Sequence, residues 1–410
     1  MAQLKHGVGA RSWLDGPLFT LFIAALMGNL SLSLDIILPV MPQVAADYAM
    51  DDPTRVRILL TVFVLTFGLG QMGVGILSDR YGRRPILGAA IGLYALASVL
   101  CALAPTFEML VIGRGLQGLA AAGPRVIAVA IVRDRMSGAA MAKALSTAAM
   151  IFMLAPIVAP FLGEVTASFA GWRAVFVLLT VLALPVLAAV LMALPETCPP
   201  DNRTRIEFSV ITANLATMAR SRQTVGNIAV STLIYGAMFG FVGLAPFIYR
   251  DIYGVASGFS AIFATFGLGI VGSAFINSRA VMRFGPAHMQ RVALIFLTTV
   301  STIFLGLTQI MAIPLWLFHL LILAIMAAKG MVYSNTNTLA VDPHTRFAGL
   351  ASSVVGGMAM LGSAVIAQLT GVFYDGDYSL VAKCYAVMGA LATLISVLCN
   401  RALNETAGEH

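Results

Sequence analysis

The chain has 410 residues, 59% hydrophobic and 10% charged, with a mean hydropathy of +0.92 and a net charge of +7. Soluble domains carry about 25% charged residues, so a water-soluble globular domain is excluded and a protein crossing a membrane many times is indicated. The positive residues sit at the ends of apolar runs rather than in one patch, which argues for topology and against a nucleic-acid surface.

In chain order, apolar runs of about twenty residues predict twelve spanning helices. They cover 17–39, 57–76, 85–104, 107–132, 141–165 and 172–194, then 224–249, 259–278, 292–310, 314–340, 347–371 and 381–400. Lys5 and Arg11 precede the first run as in a signal peptide, but the run is long and lacks a convincing cleavage site, so an uncleaved first helix is expected. The longest polar link, 195–223, divides the chain into two six-helix bundles, 1–194 and 224–410, and carries a short amphipathic segment at 208–218.

Between the second and third runs lies Gly75-Ile76-Leu77-Ser78-Asp79-Arg80-Tyr81-Gly82-Arg83-Arg84-Pro85. So many charges cannot lie in hydrocarbon, and the glycines permit a tight turn at a membrane surface. Short cytoplasmic loops collect Lys and Arg, which places this turn inside. With both termini on that side, 17 of the 25 Lys and Arg are cytoplasmic, five (Arg55, Arg57, Arg173, Arg250, Lys383) are outside, and Arg114, Arg125 and Lys329 lie within spans. Trp13, Trp172 and Trp316 all fall at run ends, where an indole bridges lipid and water. The turn is echoed after the eighth run by Met282-Arg283-Phe284-Gly285, the weak internal symmetry of a transporter built from repeats around a cavity.

The 75–85 turn resembles the signature loop of the major facilitator superfamily. Arg114-Gly115-Leu116-Gln117-Gly118 resembles that family's second motif. Ala155-Pro156-Ile157-Val158-Ala159-Pro160-Phe161-Leu162-Gly163 resembles the antiporter motif of drug exporters, with alanines in place of glycines before both prolines. Leu34-Asp35-Ile36-Ile37-Leu38-Pro39-Val40-Met41-Pro42 is similar to the end of the first helix in twelve-helix drug:proton antiporters. Together these look most like the bicyclomycin- and chloramphenicol-resistance branch. The resemblance implies an all-α fold of two six-helix bundles, both termini cytoplasmic, in a bacterial inner membrane.

Asp35 is the only carboxylate well inside a run. An ionised carboxylate in hydrocarbon costs several kcal/mol, so it must face a wet cavity, pair with a cation or hold a proton. Each suits a proton carrier; the bland alternative is a helix cap before Pro39. Arg114 enters from the same side to a similar depth, and in the resembling family the matching arginine exchanges with the acid as it titrates; a fixed structural pair is the alternative. Glu164, at the outer end of the fifth run, is either a solvated end charge or a second acid. Residues 26–29 carry no acid, which weakens the case for multi-proton coupling and for cationic drugs.

Lys329 is too deep to reach either surface easily and heads a polar stripe containing Asn335, so it is expected to line the cavity. Asn29, Gln117, Met150, Met153, Tyr235, Phe239 and Met358 are further candidates there. If Arg114, Arg125 and Lys329 share one cavity, it is positive and favours neutral, zwitterionic or anionic small amphiphiles. Gly75, Asp79, Arg80, Gly82, Arg83 and Arg84, with Asp134, are expected to latch the two bundles on the inside, Asp79 facing the N-terminus of the eleventh helix. Pro156 and Pro160 bend the fifth helix and Gly163 permits close packing.

There is no phosphate-cradling loop, nucleophile elbow or zinc spacing. The expectation is therefore not an enzyme but a monomeric secondary transporter without cofactor, driven by a proton gradient, with protons, substrate and lipid as partners. A multidrug efflux antiporter is the leading reading. Export of one endogenous metabolite, such as an amino acid derivative or siderophore, is the alternative, ahead of a symporter or a non-transporting receptor.

Overall fold

Helices begin and end where the chain carries turn chemistry. A computed structural model describes residues 17–203, 207–255 and 257–400. Helix α1 (Pro17–Asp35) ends at the acid itself, and a 3-10 turn (Leu38–Val40) leads to the short α2 (Met41–Asp47). The first apolar run is thus longer than expected and broken, because Pro39 and Pro42 have no N–H to continue the ladder. A second 3-10 turn, Pro53–Arg57, is capped by Asp52 and leads into α3 (Ile58–Tyr81).

A single residue, Gly82 with φ +103°, separates α3 from α4 (Arg83–Ala102). Any side chain there would be strained. The chain continues through α5 (Phe107–Arg135), α6 (Gly138–Ala170), α7 (Arg173–Met192), α8 (Phe208–Arg220) and α9 (Arg222–Phe247). Beyond it come α10 (Phe259–Phe284) and α11 (Pro286–Ile310), again separated by one glycine, Gly285 at φ +75°. The two basic turns seen as a sequence echo therefore share one backbone solution. A 3-10 turn joins α12 (Leu315–Val341) to α13 (Ala348–Val372), and α14 (Ser379–Cys399) completes the described chain.

Among the described residues, ten apolar stretches are long enough to cross a membrane. One of them, the 58-residue stretch Leu315–Val372, contains both α12 and α13, and a shorter apolar segment, Leu154–Ala170, lies in α6. Large apolar side chains such as Leu96, Leu103, Ile112, Phe161 and Phe275 point outward. That surface suits lipid, where each helix satisfies its own backbone.

Helix pairing repeats along the chain. In the first set α1 packs on α5 and α6, α3 on α5, and α4 on α5 and α7. In the second set α9 packs on α12 and α13, α10 on α12, and α11 on α12 and α14. The sets meet through equivalent pairs, α3 with α13 and α6 with α10. The surface helix α8 is mostly exposed and anchors through Met218, which packs with Ala340, Ala351, Val354 and Val355.

Glu196, which sequence reasoning left in the linker, caps α4. Its Oε1 accepts from the Arg83 N–H at 2.8 Å and its Oε2 from the Arg84 N–H at 3.2 Å. Charged caps of this kind contribute about 1 kcal/mol. Glu196→Ala is therefore expected to lower the thermal unfolding midpoint in detergent more than Glu196→Gln does; equal midpoints for both variants and the parent would count against the cap.

Candidate functional site

Arg114 sits two turns into α5, wholly buried. Its Nη1 donates to the Ser33 carbonyl at 3.1 Å and to Gln117 Oε1 at 2.6 Å, and its Nε to the Leu59 carbonyl at 3.4 Å. The guanidinium stacks on Phe63, 4.3 Å from the ring centroid, while Nη2 is buried without a hydrogen-bond partner. Gln117 passes the network to Ser98 at 2.7 Å, and Ser33 shares a short hydrogen bond with Tyr94. Gln117, expected in the cavity, is thus a fully buried link that fixes Arg114. Sequence reasoning missed Ser33, Tyr94 and Ser98; the latter two lie one turn apart on α4, a readable polar pair in an apolar run.

Asp35 is 7% exposed, two residues beyond the Ser33 carbonyl that Arg114 holds.

A cavity of about 420 Å³ lies between the two sets. At its mouth are Asp79, Arg83, Arg133, Asp134 and the start of α13; deeper in are Met27, Gln71, Arg125, Ser231, Tyr235, Tyr333 and Asn337. Lys329 lines a small recess shared with Ser231, Tyr235 and Tyr333. Arg125 thus lines the cavity, Lys329 the adjoining recess, and Arg114 neither.

Other expected cavity residues are placed elsewhere. Phe239 is buried beneath Tyr235, stacked at 5.9 Å. Asn335 is buried and donates to Asn277 Oδ1 at 2.8 Å; two residues on, on roughly the opposite face of the helix, Asn337 lines the cavity in its place. Met358 points outward, and Met360 and Gly356 line the cavity instead. Asn29 is half-buried on α1, while Met27 reaches the cavity. The side chains of Met150 and Met153 lie outside the described residues.

The end of the molecule opposite the basic turns is closed. There Arg57, 7% exposed, lies in a notch of α13, where a Cβ on Gly371 would stand 1.6 Å from its Nε. Nearby, Glu164 accepts from the Gly258 N–H at 3.1 Å and the Ser260 N–H at 3.2 Å, capping α10 from across the interface. Glu164 thus has fixed backbone partners across the interface and is not among the residues lining the cavity. Just before it, Gly163 touches the chain after Asp35: a Cβ there would lie 2.0 Å from the Ile36 carbonyl oxygen. Pro156 and Pro160 lie inside α6, which places the 155–163 motif between the acid's helix break and α10.

The basic turn makes a different contact from the one expected. Arg83, not the start of α13, takes Asp79; it also bonds Asp134 at 3.1 Å and Ser78 at 2.8 Å. A full charge four residues away outcompetes the half charge of a distant helix end. Arg84 donates to the Leu191 carbonyl, Arg80 is exposed, and Gly75 lines the cavity opposite Ser353. These bonds stay within the first set of helices, and the residue nearest Gly349 at the start of α13 is Arg133.

A polytopic helical bundle with a polar cavity between two repeated halves, open at one end and sealed at the other, defines a membrane transporter. The family model described as Major Facilitator Superfamily matches residues 18–367, and the chain belongs to that superfamily. It is 32% identical over 379 residues to the uncharacterized MFS-type transporter YdgK of Bacillus subtilis, covering 91% of this chain and 93% of that one. It is 28% identical over 336 residues to the bicyclomycin resistance protein homolog of Haemophilus influenzae (82% and 84%). It is 27% identical over 350 residues to the multidrug resistance protein MdtL of Escherichia coli (85% and 87%). Among solved structures, a peptide transporter POT shares the fold with a TM-score of 0.74 at 15% identity, covering 97% of this chain and 96% of that one. The resemblance to the drug-exporter branch thus agrees with the relatives' names.

Proposed function

We propose that the chain exports small amphiphilic molecules from a bacterial cell in exchange for protons, by alternating access in the inner membrane. The twelve long helices each cross once, both termini are cytoplasmic, and residues 1–194 and 224–410 rock against each other with 195–223 as the linker. The observation that carries this reading is Asp35, buried at the end of α1 two residues beyond the Ser33 carbonyl that Arg114 holds. A proton taken from outside neutralises Asp35. On the inside the proton leaves, and the unpartnered Nη2 of Arg114 offers the carboxylate a new donor.

The cavity opens at the basic-turn end, which the distribution of Lys and Arg assigns to the cytoplasm. This is the inward-open state, held by Arg57 and Glu164 outside and with Asp79 withdrawn to Arg83 inside. The names of the relatives support several unrelated drugs, bicyclomycin among them, as cargo, in preference to one metabolite. Susceptibility of an exporter-deficient bacterial host expressing the chain tests this: raised tolerance to several unrelated compounds is expected. Unchanged tolerance to all of them, with secretion of a single metabolite, would point to dedicated export.

The Glu164 cap has its own expected result. Losing a charged cap costs about 1–2 kcal/mol, so Glu164→Ala should loosen the outer seal. A Ser260→Cys reporter is then expected to react faster with an impermeant maleimide added outside than it does with Glu164 present; equal rates would remove Glu164 from the seal.

A further inference from the structure

Between Asp251 and Asp342 the chain has no carboxylate, yet Arg279, Arg283 and Arg291 surround the one-residue turn that joins α10 to α11. Among the described residues none of the three has an acidic partner. The equivalent turn between α3 and α4 is neutralised from within: Arg83 binds Asp79 and Asp134, and Glu196 caps the helix that follows. In the second copy Met282 stands in the place of Asp79 and is 88% exposed. Arg279 and Arg291 each lie six residues from Gly285, so they start from about the same depth, ~9 Å along their helices.

The surface around these arginines is apolar and faces away from the cavity. Phe275, Met282 and Phe284 on α10 and Ile295 and Phe296 on α11 are exposed, and no residue of either helix lines the cavity. Arg279 lies 3.7 Å from the centre of the Phe275 ring, and Arg283 5.3 Å from that of Phe284. Phe275, Arg279 and Met282 recur at helical spacing, so the cation and the apolar groups share one face. A guanidinium stacked on a ring at the end of an apolar helix sits where acyl chains give way to headgroups. Its planar fork matches a phosphate, and a headgroup without a cation of its own leaves that phosphate available. We infer that the α10–α11 turn is a docking surface for an anionic phospholipid, with the three arginines on the phosphate and Phe275 and Met282 against the acyl chains. Exposed apolar side chains among the cations favour a lipid over a soluble phosphate. The surface is separate from the cargo cavity, and its assignment does not depend on what the chain transports.

The test uses the full chain purified in detergent and titrated with dioleoylphosphatidylglycerol or dioleoylphosphatidylcholine, bound lipid being counted by native mass spectrometry. Attraction to an anionic lipid accumulates over the cations, so the wild type is expected to bind phosphatidylglycerol at least about tenfold more tightly than phosphatidylcholine. Replacing Arg279, Arg283 and Arg291 together by Gln should bring the two affinities within about threefold of each other. A charge-matched control, with Gln at the exposed Lys143, Arg220 and Arg222, should keep the preference. Met282→Asp, which gives this turn the acid of the first, should reduce the preference at least about threefold, and it decides even if the triple arginine variant fails to fold. Equal affinities in the wild type overturn the inference, as does a preference that survives either the triple arginine variant or Met282→Asp. Equal loss in the charge-matched control would show a general charge effect and also overturn it. So would loss of the preference on adding glycerol 1-phosphate, the headgroup anion without acyl chains.

Discussion

Asp35→Asn is expected to retain compound binding and to lose uphill export. Asparagine keeps the size of the side chain and one carbonyl oxygen but can neither carry a charge nor release a proton. Each proton moved inward across 100 mV supplies about 2.3 kcal/mol, which sustains a compound gradient of roughly 50-fold. With that step gone the accumulation ratio falls to about one, while affinity shifts by less than about tenfold, because Asp35 is not among the residues lining the cavity. Arg114 then keeps its bonds to Ser33, Leu59 and Gln117, so the fold is not expected to suffer. Transport of a pre-loaded compound down its own gradient separates a lost drive from a lost pathway. Undiminished uphill export by the variant would contradict the role given to Asp35.

The second large effect is expected at Gly163→Ala. A methyl group there would stand 2.0 Å from the Ile36 carbonyl oxygen, and that oxygen belongs to backbone that cannot rotate away. Helix α6 has to retreat by more than 1 Å to restore ordinary contact, and overpacking of this kind costs about 1–3 kcal/mol. The displaced segment follows Asp35 directly and the retreating helix carries Glu164, so the acid's setting and the outer seal are disturbed together. Export is expected to fall by about ten- to hundredfold at unchanged expression. Gly272→Ala serves as the control, because nothing lies within 4 Å of a Cβ at that position. Equal export by the two variants would show that the close approach has no bearing on transport.

The helical layout was legible because apolar runs and one-residue glycine turns depend on local chemistry alone. Asp35, Arg114 and Lys329 stood out for a similarly simple reason: a charge in hydrocarbon needs an explanation before any contact is known. Side-chain direction was less readable. Gln117, Asn335 and Met358 lie on cavity helices but point into a polar network, a neighbouring helix and lipid respectively. Helix phase decides among these, and mixed apolar faces do not announce it. The contacts of Arg57 with Gly371 and of Glu164 with α10 join residues far apart in the chain, so no spacing rule exposes them. The latch around Asp79 was misplaced for another reason. Its partner, Arg83, stands only four residues along the same turn, so the interaction stays within one half instead of joining the two.

Lumenal pH in sealed proteoliposomes gives the most direct reading. A gradient of an exported compound is imposed with no initial pH difference, and a trapped pH-sensitive dye reports proton movement. The wild type is predicted to move protons against the direction of the compound, and Asp35→Asn to move the compound without them. Protons travelling in the same direction as the compound, or the same pH change with the asparagine variant, would contradict the account.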